Sequence, residues 1–312
     1  MQCFTGHIYA QKFLQRPVVT IGNFDGLHLG HQELIKQTKL MAARLKTATV
    51  VYTFSPHPSH LLSYKPQQML MTDQQKKQGL AHFGIDAVVF EPFIPEFSNV
   101  SDEDFLQKIL IESLKVSGVV VGENFKFGRK GAGDAVSLKK YLMSHGVEVK
   151  IVPYVLVDKQ LCSSSSVRQL IMSGQVEAAA ALLGRFYALQ GVVVHGDGRG
   201  KSIGFASATL QTEQELLPAT GVYAALVKLP GLEKTMFGAT NVGFRPTFKD
   251  DKNIFVETHI LDFDQSIYGQ RMELEFVEKI RDELKFNSVD ELKAQIQKDL
   301  LTVRQLFSVS LN

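Results

Sequence analysis

Residues 18–31 read VVTIGNFDGLHLGH, and the rest of the chain can be placed around them. The β-branched run Val18–Ile21 predicts a short buried strand. It breaks at Gly22 into the loop Asn23-Phe24-Asp25-Gly26 and ends in His28-Leu29-Gly30-His31. The segment that follows, HQELIKQTKLMAARLK, places apolar or neutral residues at Leu34, Thr38, Met41 and Leu45, which is one face of a helix. Gly26 and Gly30 let backbone approach a ligand closely, and the start of a helix offers unpaired N–H groups with positive partial charge. Two imidazoles three residues apart at such a point can bond phosphate oxygens and stabilise charge on a leaving pyrophosphate. Surface histidines, or half of a zinc site, are the other readings. The two cysteines, Cys3 and Cys162, stand in no metal-type spacing, so the pattern favours a triphosphate.

A chain of 312 residues makes two domains of ordinary size. Its 45% apolar and 21% charged residues are those of a soluble globular protein. Lysine plus arginine number 34 against 32 acids, a net charge of +2 that suggests neither a nucleic-acid nor an anionic-membrane surface. Two distant cysteines fit a reducing cytoplasm. MQCFTGHIYAQKFLQ lacks a basic region ahead of an apolar core, so no signal peptide is expected. No apolar run approaches the roughly 20 residues of a membrane span.

Past the first helix, residues 49–54 (TVVYTF) predict a second buried strand, stopped by Ser55-Pro56-His57-Pro58. Ligand crevices of open α/β sheets lie at carboxyl strand ends, which would turn His57 toward His28 and His31. A solvent histidine in a proline-stiffened loop is the alternative. Further alternation predicts helices over 73–83, 102–115 (capped by Ser101) and 137–145, with strands over 87–90, 118–122 and 147–155. That order means a parallel, doubly wound sheet. Residues 123–131, ENFKFGRKG, put aromatics, bases and glycines at a carboxyl strand end, which suits a planar ring beside phosphates or, otherwise, a solvated turn. Ser163–Arg168 (SSSSVR) sets hydroxyls and a guanidinium at a helix start, between apolar flanks that argue against a linker.

An alanine-rich helix over 177–183 closes the first half, and a boundary is expected near residue 185. Beyond it the hydrophobic period changes from 3.6 to 2. Strands are predicted at 186–194, 221–229, 235–242, 254–261 and 271–277, with a closing helix over 289–307 capped by Ser288. This is the pattern of a small antiparallel barrel. The glycine-rich run 196–204 is either a phosphate cradle or a flexible hairpin.

Four motifs of the first half, TIGNFDGLHLGH, TFSPHP, GENFKFGRKGAGD and SSSSVR, resemble the nucleotidyltransferase domain of bacterial FAD synthetases. In the second half GDGRGKSIGF, PATGVYA, NVGFRPTF, VETHILDFD, YGQ and IRDELKF resemble the riboflavin kinase barrel. The likeness spans the chain and is to the bacterial bifunctional riboflavin kinase/FAD synthetases. It implies a Rossmann-like N-terminal nucleotidyltransferase domain with a parallel sheet (residues 1–185). It also implies a C-terminal antiparallel β-barrel kinase domain with a closing helix (residues 186–312). Riboflavin would be phosphorylated to FMN, and FMN adenylylated to FAD, with ATP and Mg²⁺.

Carried over by motif, His28 and His31 would stabilise the leaving pyrophosphate and Glu257 would be the base of the kinase. Gly22, Asn23, Phe24, Asp25, Gly30, Ser164, Ser165, Arg168, Gly198, Lys201 and Gly204 would bind ATP. His57, Pro58, Asn124, Phe127, Asn241, Arg245 and Arg281 would bind flavin, and Ser207 and Thr209 the metal. One departure stands out. The kinase family carries Gly-Phe-Pro-Thr-Ala-Asn where this chain has Gly204-Phe205-Ala206-Ser207-Ala208-Thr209. Ser207 keeps a hydroxyl, Thr209 replaces an amide, and Ala206 loosens a proline-fixed turn; magnesium tolerates misplaced oxygens poorly. The alternative is therefore a monofunctional FAD synthetase whose barrel only binds flavin. A regulatory flavin binder is disfavoured, because it need not keep HLGH, TFSPHP and SSSSVR. The expected partners are small molecules, with no nucleic acid or membrane, and the chain is expected to be a monomer or weak homo-oligomer.

Overall fold

In the computed structural model, which describes residues 1–196, 203–232, 234–244 and 254–309, Val18–Ile21 is a central strand with all four residues buried. It is β2 of a six-stranded, wholly parallel sheet. The others are β1 (Gln2–Thr5), β3 (Thr49–Ser55), β4 (Ala87–Pro92), β5 (Gly118–Gly122) and β6 (Glu148–Val152), in the order β1-β4-β3-β2-β5-β6. Strand order reverses between β2 and β5, which makes that crevice the switch point where such sheets bind ligands. Helices cover both faces, and the inner strands therefore read as continuous apolar runs rather than alternating ones.

The helix after β2, α1 (Leu29–Leu45), buries Ile35, Thr38, Met41 and Ala42, while Leu34 and Leu45 are only partly buried. Its stripe is thus rotated slightly from the one expected. Burial of Ile35 and Met41 stabilises this contact by about 2 kcal/mol each. α2 (Asp73–His82) begins with a capping box between Thr72 and Gln75, and α3 (Ala135–Ser144) with one between Asp134 and Ser137. The helix expected over 102–115 is capped by Ser101 as anticipated. From Phe105 to Ser113, however, it winds as a π-helix, with Leu114 N–H bonded to Ile109 O. The strand expected over 147–155 shortens to β6.

Packing divides the chain into two compact units, Met1–Ser164 and Ser165–Asn312. Two helices, α4 (Ser164–Met172) and α5 (Val176–Leu183), precede the barrel in sequence. Within the second unit Ala219 N–H bonds Ile171 O, and Lys279 N–H bonds the Glu177 carboxylate. The strands β7 (Tyr187–Val194), β8 (Ala208–Thr212), β9 (Gly221–Lys228), β10 (Met236–Phe244), β11 (Ile254–Ile260) and β12 (Arg271–Arg281) close into an antiparallel barrel, ordered β7-β8-β11-β10-β9-β12. Five strands were expected; β8 is the sixth. Two register irregularities in the β9–β12 ladder each add one residue on β12, so Val222 pairs with Arg281 rather than Lys279. The closing helix α6 (Val289–Val309) has Ser288 accepting from Glu291 N–H, and it packs Val303 and Phe307 on Ala224 and Leu261.

Candidate active sites

The loop leaving β2 is tight. Phe24, Gly26 and Leu27 all take positive φ, strained for the two that carry side chains. That strain is held by burial: Phe24 and Leu27 pack with Ile35 and Val51 beneath the sheet. Asp25, 1% exposed, accepts Leu70 N–H at 3.0 and 3.2 Å, and its carbonyl accepts the Ser164 hydroxyl at 2.8 Å. Thr53 donates to Asn23 O at 3.0 Å. The side chains of Phe24 and Asp25, expected to meet ATP, are therefore turned into the fold and set the loop's shape. Lys76 is buried nearby, and burial holds its ammonium below the ordinary lysine value against the pull of Asp25 and Asp73.

His28 caps α1. Its Nδ1 accepts His31 N–H at 3.4 Å, and its ring stacks on that of His31, 3.7 Å between centroids. Cys162 Sγ lies 3.5 Å from the same Nδ1. Among the first-turn amides, that of His31 is thus already met by the His28 ring. Gly30 has no room for a larger residue: an added Cβ would stand 3.0 Å from His28 Cε1 and 3.2 Å from Cys162 O. Among the described residues no group of three histidines, cysteines or carboxylates is placed to hold a metal, so the zinc reading gains nothing.

At the end of β3, Ser55 bonds Asp73 at 2.6 Å, and His57 caps the short helix Pro58–Leu62 through Ser59 N–H at 3.1 Å. His57 thus sits at the carboxyl end of the strand beside β2, and Pro58 is the first residue of that helix. Asn124, beyond β5, is exposed. Phe127 is buried, stacked with Phe125 and tilted against Phe105, so it forms a wall of the core rather than an exposed face. That wall continues through Phe97 and Phe54 to Phe93; Phe93 and Phe97 stand in no motif or periodic spacing that would single them out in the sequence. Ser165 and Arg168 follow on α4, in the second compact unit, and Arg168 is 8% exposed.

In the barrel, strand pairing gathers what the sequence scattered. Val194 pairs with Thr209, Thr209 with Glu257, Glu257 with Asn241, Asn241 with Val222 and Val222 with Arg281, one row across all six strands. Directly paired residues share a face, so Thr209, Glu257 and Asn241 stand side by side. Thr209 Oγ1 is 3.4 Å from Glu257 Oε1. A Cβ on Gly196 would crowd both groups, so glycine is needed there to admit anything against them. The turn that lacks the family's proline is held another way: His259 Nδ1–H donates to Ala206 O at 2.7 Å, and Phe205 lies edge-on to the His259 ring. Arg281 is fixed by a two-pronged pair with the buried Asp299 of α6, at 2.8–3.1 Å, which Gln295 also bonds. Ser207 is half-buried and Gly204 open, with φ +92°. Gly198, Lys201 and Arg245 lie outside the described residues.

Comparison with known proteins accounts for both halves. The FAD synthetase family model matches residues 10–166, and the riboflavin kinase model matches residues 183–307. The chain belongs to the bifunctional riboflavin kinase/FMN adenylyltransferase family. Proteins of that name from Listeria monocytogenes and Haemophilus influenzae are 38% and 34% identical, over 93% and 99% of this chain and 92% and 100% of their own. The Escherichia coli K12 protein is 35% identical over 97% of both chains. A crystal structure described as a macrolide-efflux protein from Streptococcus pneumoniae matches with a TM-score of 0.87 at 30% identity, covering 97% of this chain and 99% of that one. Among the described residues no helix is long and apolar enough to cross a membrane. The relatives of this family carry both activities in their names over their whole length, and the monofunctional alternative finds no support.

Proposed function

We propose that the chain makes FAD in two steps. Residues 186–312 phosphorylate riboflavin with ATP to give FMN and ADP. Residues 1–185 join FMN to the AMP part of ATP and release pyrophosphate. The observation that carries this reading is that one chain holds both constellations, the stacked His28–His31 pair at the switch point and the Thr209–Glu257–Asn241 row in the barrel. The two family matches, residues 10–166 and 183–307, support one activity in each half of the chain.

In adenylyl transfer an FMN phosphate oxygen attacks the α-phosphorus, and the bond to the bridging oxygen of pyrophosphate breaks. The nucleophile is already anionic, so alignment and charge stabilisation matter more than a base. His28 and His31 donate hydrogen bonds to the departing pyrophosphate. The backbone of Gly22, Asn23 and Gly30 admits ATP closely, and Ser164, Ser165 and Arg168 grip its phosphates. His57, Pro58 and Asn124 receive the flavin, with Phe127 backing that region from the core.

In the kinase, Glu257 takes the proton of the ribityl 5′-hydroxyl as that oxygen attacks the γ-phosphorus and ADP leaves. Asn241 and Arg281 hold flavin on the same row. Neutral hydroxyls beside a carboxylate are the hard oxygen donors that magnesium takes, so Ser207 and Thr209 suit the Mg²⁺ of ATP, which neutralises phosphoryl charge when bound. The partners are small molecules, in keeping with a net charge of only +2. We assign no nucleic-acid or membrane partner, a cytoplasmic location, and a monomer or weak homo-oligomer.

Incubation with riboflavin, ATP and Mg²⁺, and separately with FMN, ATP and Mg²⁺, followed by chromatography, tests the reading. FMN and then FAD from riboflavin is the expected result. FAD from FMN alone would remove the kinase, and no product from either would remove both activities.

A further inference from the structure

We propose that Cys162 is a positioning residue for adenylyl transfer: its S–H, donated to His28 Nδ1, holds that ring in the form whose proton sits on Nε2. The inference rests on the role given to His28 above. A backbone amide can only donate, and His31 N–H, 3.4 Å from His28 Nδ1, is a long contact that favours a lone pair there without fixing it. The thiol sulfur lies 3.5 Å from the same nitrogen, close enough for its S–H to point at that lone pair. Burial raises the thiol pKa and keeps that proton in place. The other tautomer would set an Nδ1–H against two donors.

Cys162 is itself held where this contact can form. Its N–H bonds Val155 O at 2.9 Å, and two residues on, Ser164 is tied to Asp25 O. Both the thiol and the ring are 6% exposed, so no solvent competes for the contact. The consequence is chemical. His28 meets phosphate as a neutral N–H donor of fixed direction, aimed by a side chain that touches no substrate. A group that orients a catalytic imidazole is worth on the order of 10-fold or more in rate.

Full-length chain with ¹⁵N-labelled histidine, compared as wild type, Cys162→Ala and Cys162→Ser, decides the matter. His28 is assigned by its loss in His28→Ala. In the wild type the neutral ring is expected to carry its proton on Nε2 alone. Cys162→Ala should mix the tautomers and lower kcat for FAD formation from FMN on the order of 10-fold, with KM for FMN little changed. Cys162→Ser, which keeps a donor, should restore both, and FMN formation from riboflavin should be unaltered throughout. Should the alanine variant fail to fold, Cys162→Val serves as the donor-free replacement. An unchanged tautomer in the donor-free variant overturns the proposal whatever the rate does, as does a rise in KM at unchanged kcat. A wild type that makes no FAD refutes the role of the domain instead, and the ring spectrum still judges Cys162.

Discussion

Gly30→Ala adds one methyl group at the start of α1, where the backbone itself accepts alanine. The cost lies in the neighbours. The new Cβ would sit 3.0 Å from His28 Cε1, 3.1 Å from His28 Nδ1 and 3.2 Å from Cys162 O. Carbon contacts settle near 3.5 Å or beyond, so ring or strap must give by about 0.5 Å. Overpacking of that kind costs about 1–3 kcal/mol, and alanine over glycine in a helix returns about 1 kcal/mol. The net loss of stability is about 1 kcal/mol, or a Tm lowered by roughly 2–4 °C. The rate should suffer far more. A misplacement of about 1 Å at a reacting centre costs on the order of 100-fold, so half of that costs about 10-fold. FAD formation from FMN, followed by chromatography, is expected to fall by that factor while FMN formation from riboflavin holds. A variant with the full FAD rate would refute the claim that His28 must be held to tenths of an ångström. Equal loss of both activities would refute the separation of the two sites.

His28→Ala should lower FAD formation on the order of 100-fold and spare FMN formation, because one preorganised donor to the leaving group is removed. Glu257→Gln should do the reverse, cutting FMN formation by about 100-fold or more while FAD from supplied FMN persists. Lys76 carries a pH signature. Its folded pKa lies below 10.5, so in the window beneath that value the unfolded chain binds a proton that the folded chain has released. Stability then rises with pH through the window. The wild-type Tm is expected to gain on that of Lys76→Met as pH is raised toward 10.5, and a constant difference would contradict a buried, destabilised ammonium.

What could be read from the sequence was what short-range pattern encodes. The strand Val18–Ile21, the break at Gly22 and the imidazoles at 28 and 31 follow one another directly, and so the parallel sheet and the strand–loop–helix turn that carries both histidines were legible. β8 was not. Its five residues, ATLQT, show no clear alternation, and the partners that make them a strand lie on two other elements, Gly191–Val194 of β7 and Glu257–Thr258 of β11. The π-turns of Phe105–Ser113 depend on packing that composition does not record. Phe127 illustrates a different limit: an aromatic among glycines and bases reads alike whether it lines a pocket or backs it. The thiol at Cys162 and the imidazole at His259 are lone residues in sequence, and only the fold brings each to its contact, His28 for one and Ala206 O for the other.

The two irregularities between β9 and β12 bear on what stands at the end of the barrel row. A regular ladder would set Lys279 opposite Val222, one extra residue would set Ile280 there, and two set Arg281 there. The two extra residues therefore decide which side chain joins the row. Without the two extra residues the ladder would place Lys279, not Arg281, opposite Val222, and the buried carboxylate of Asp299 would lose the guanidinium that pairs with it.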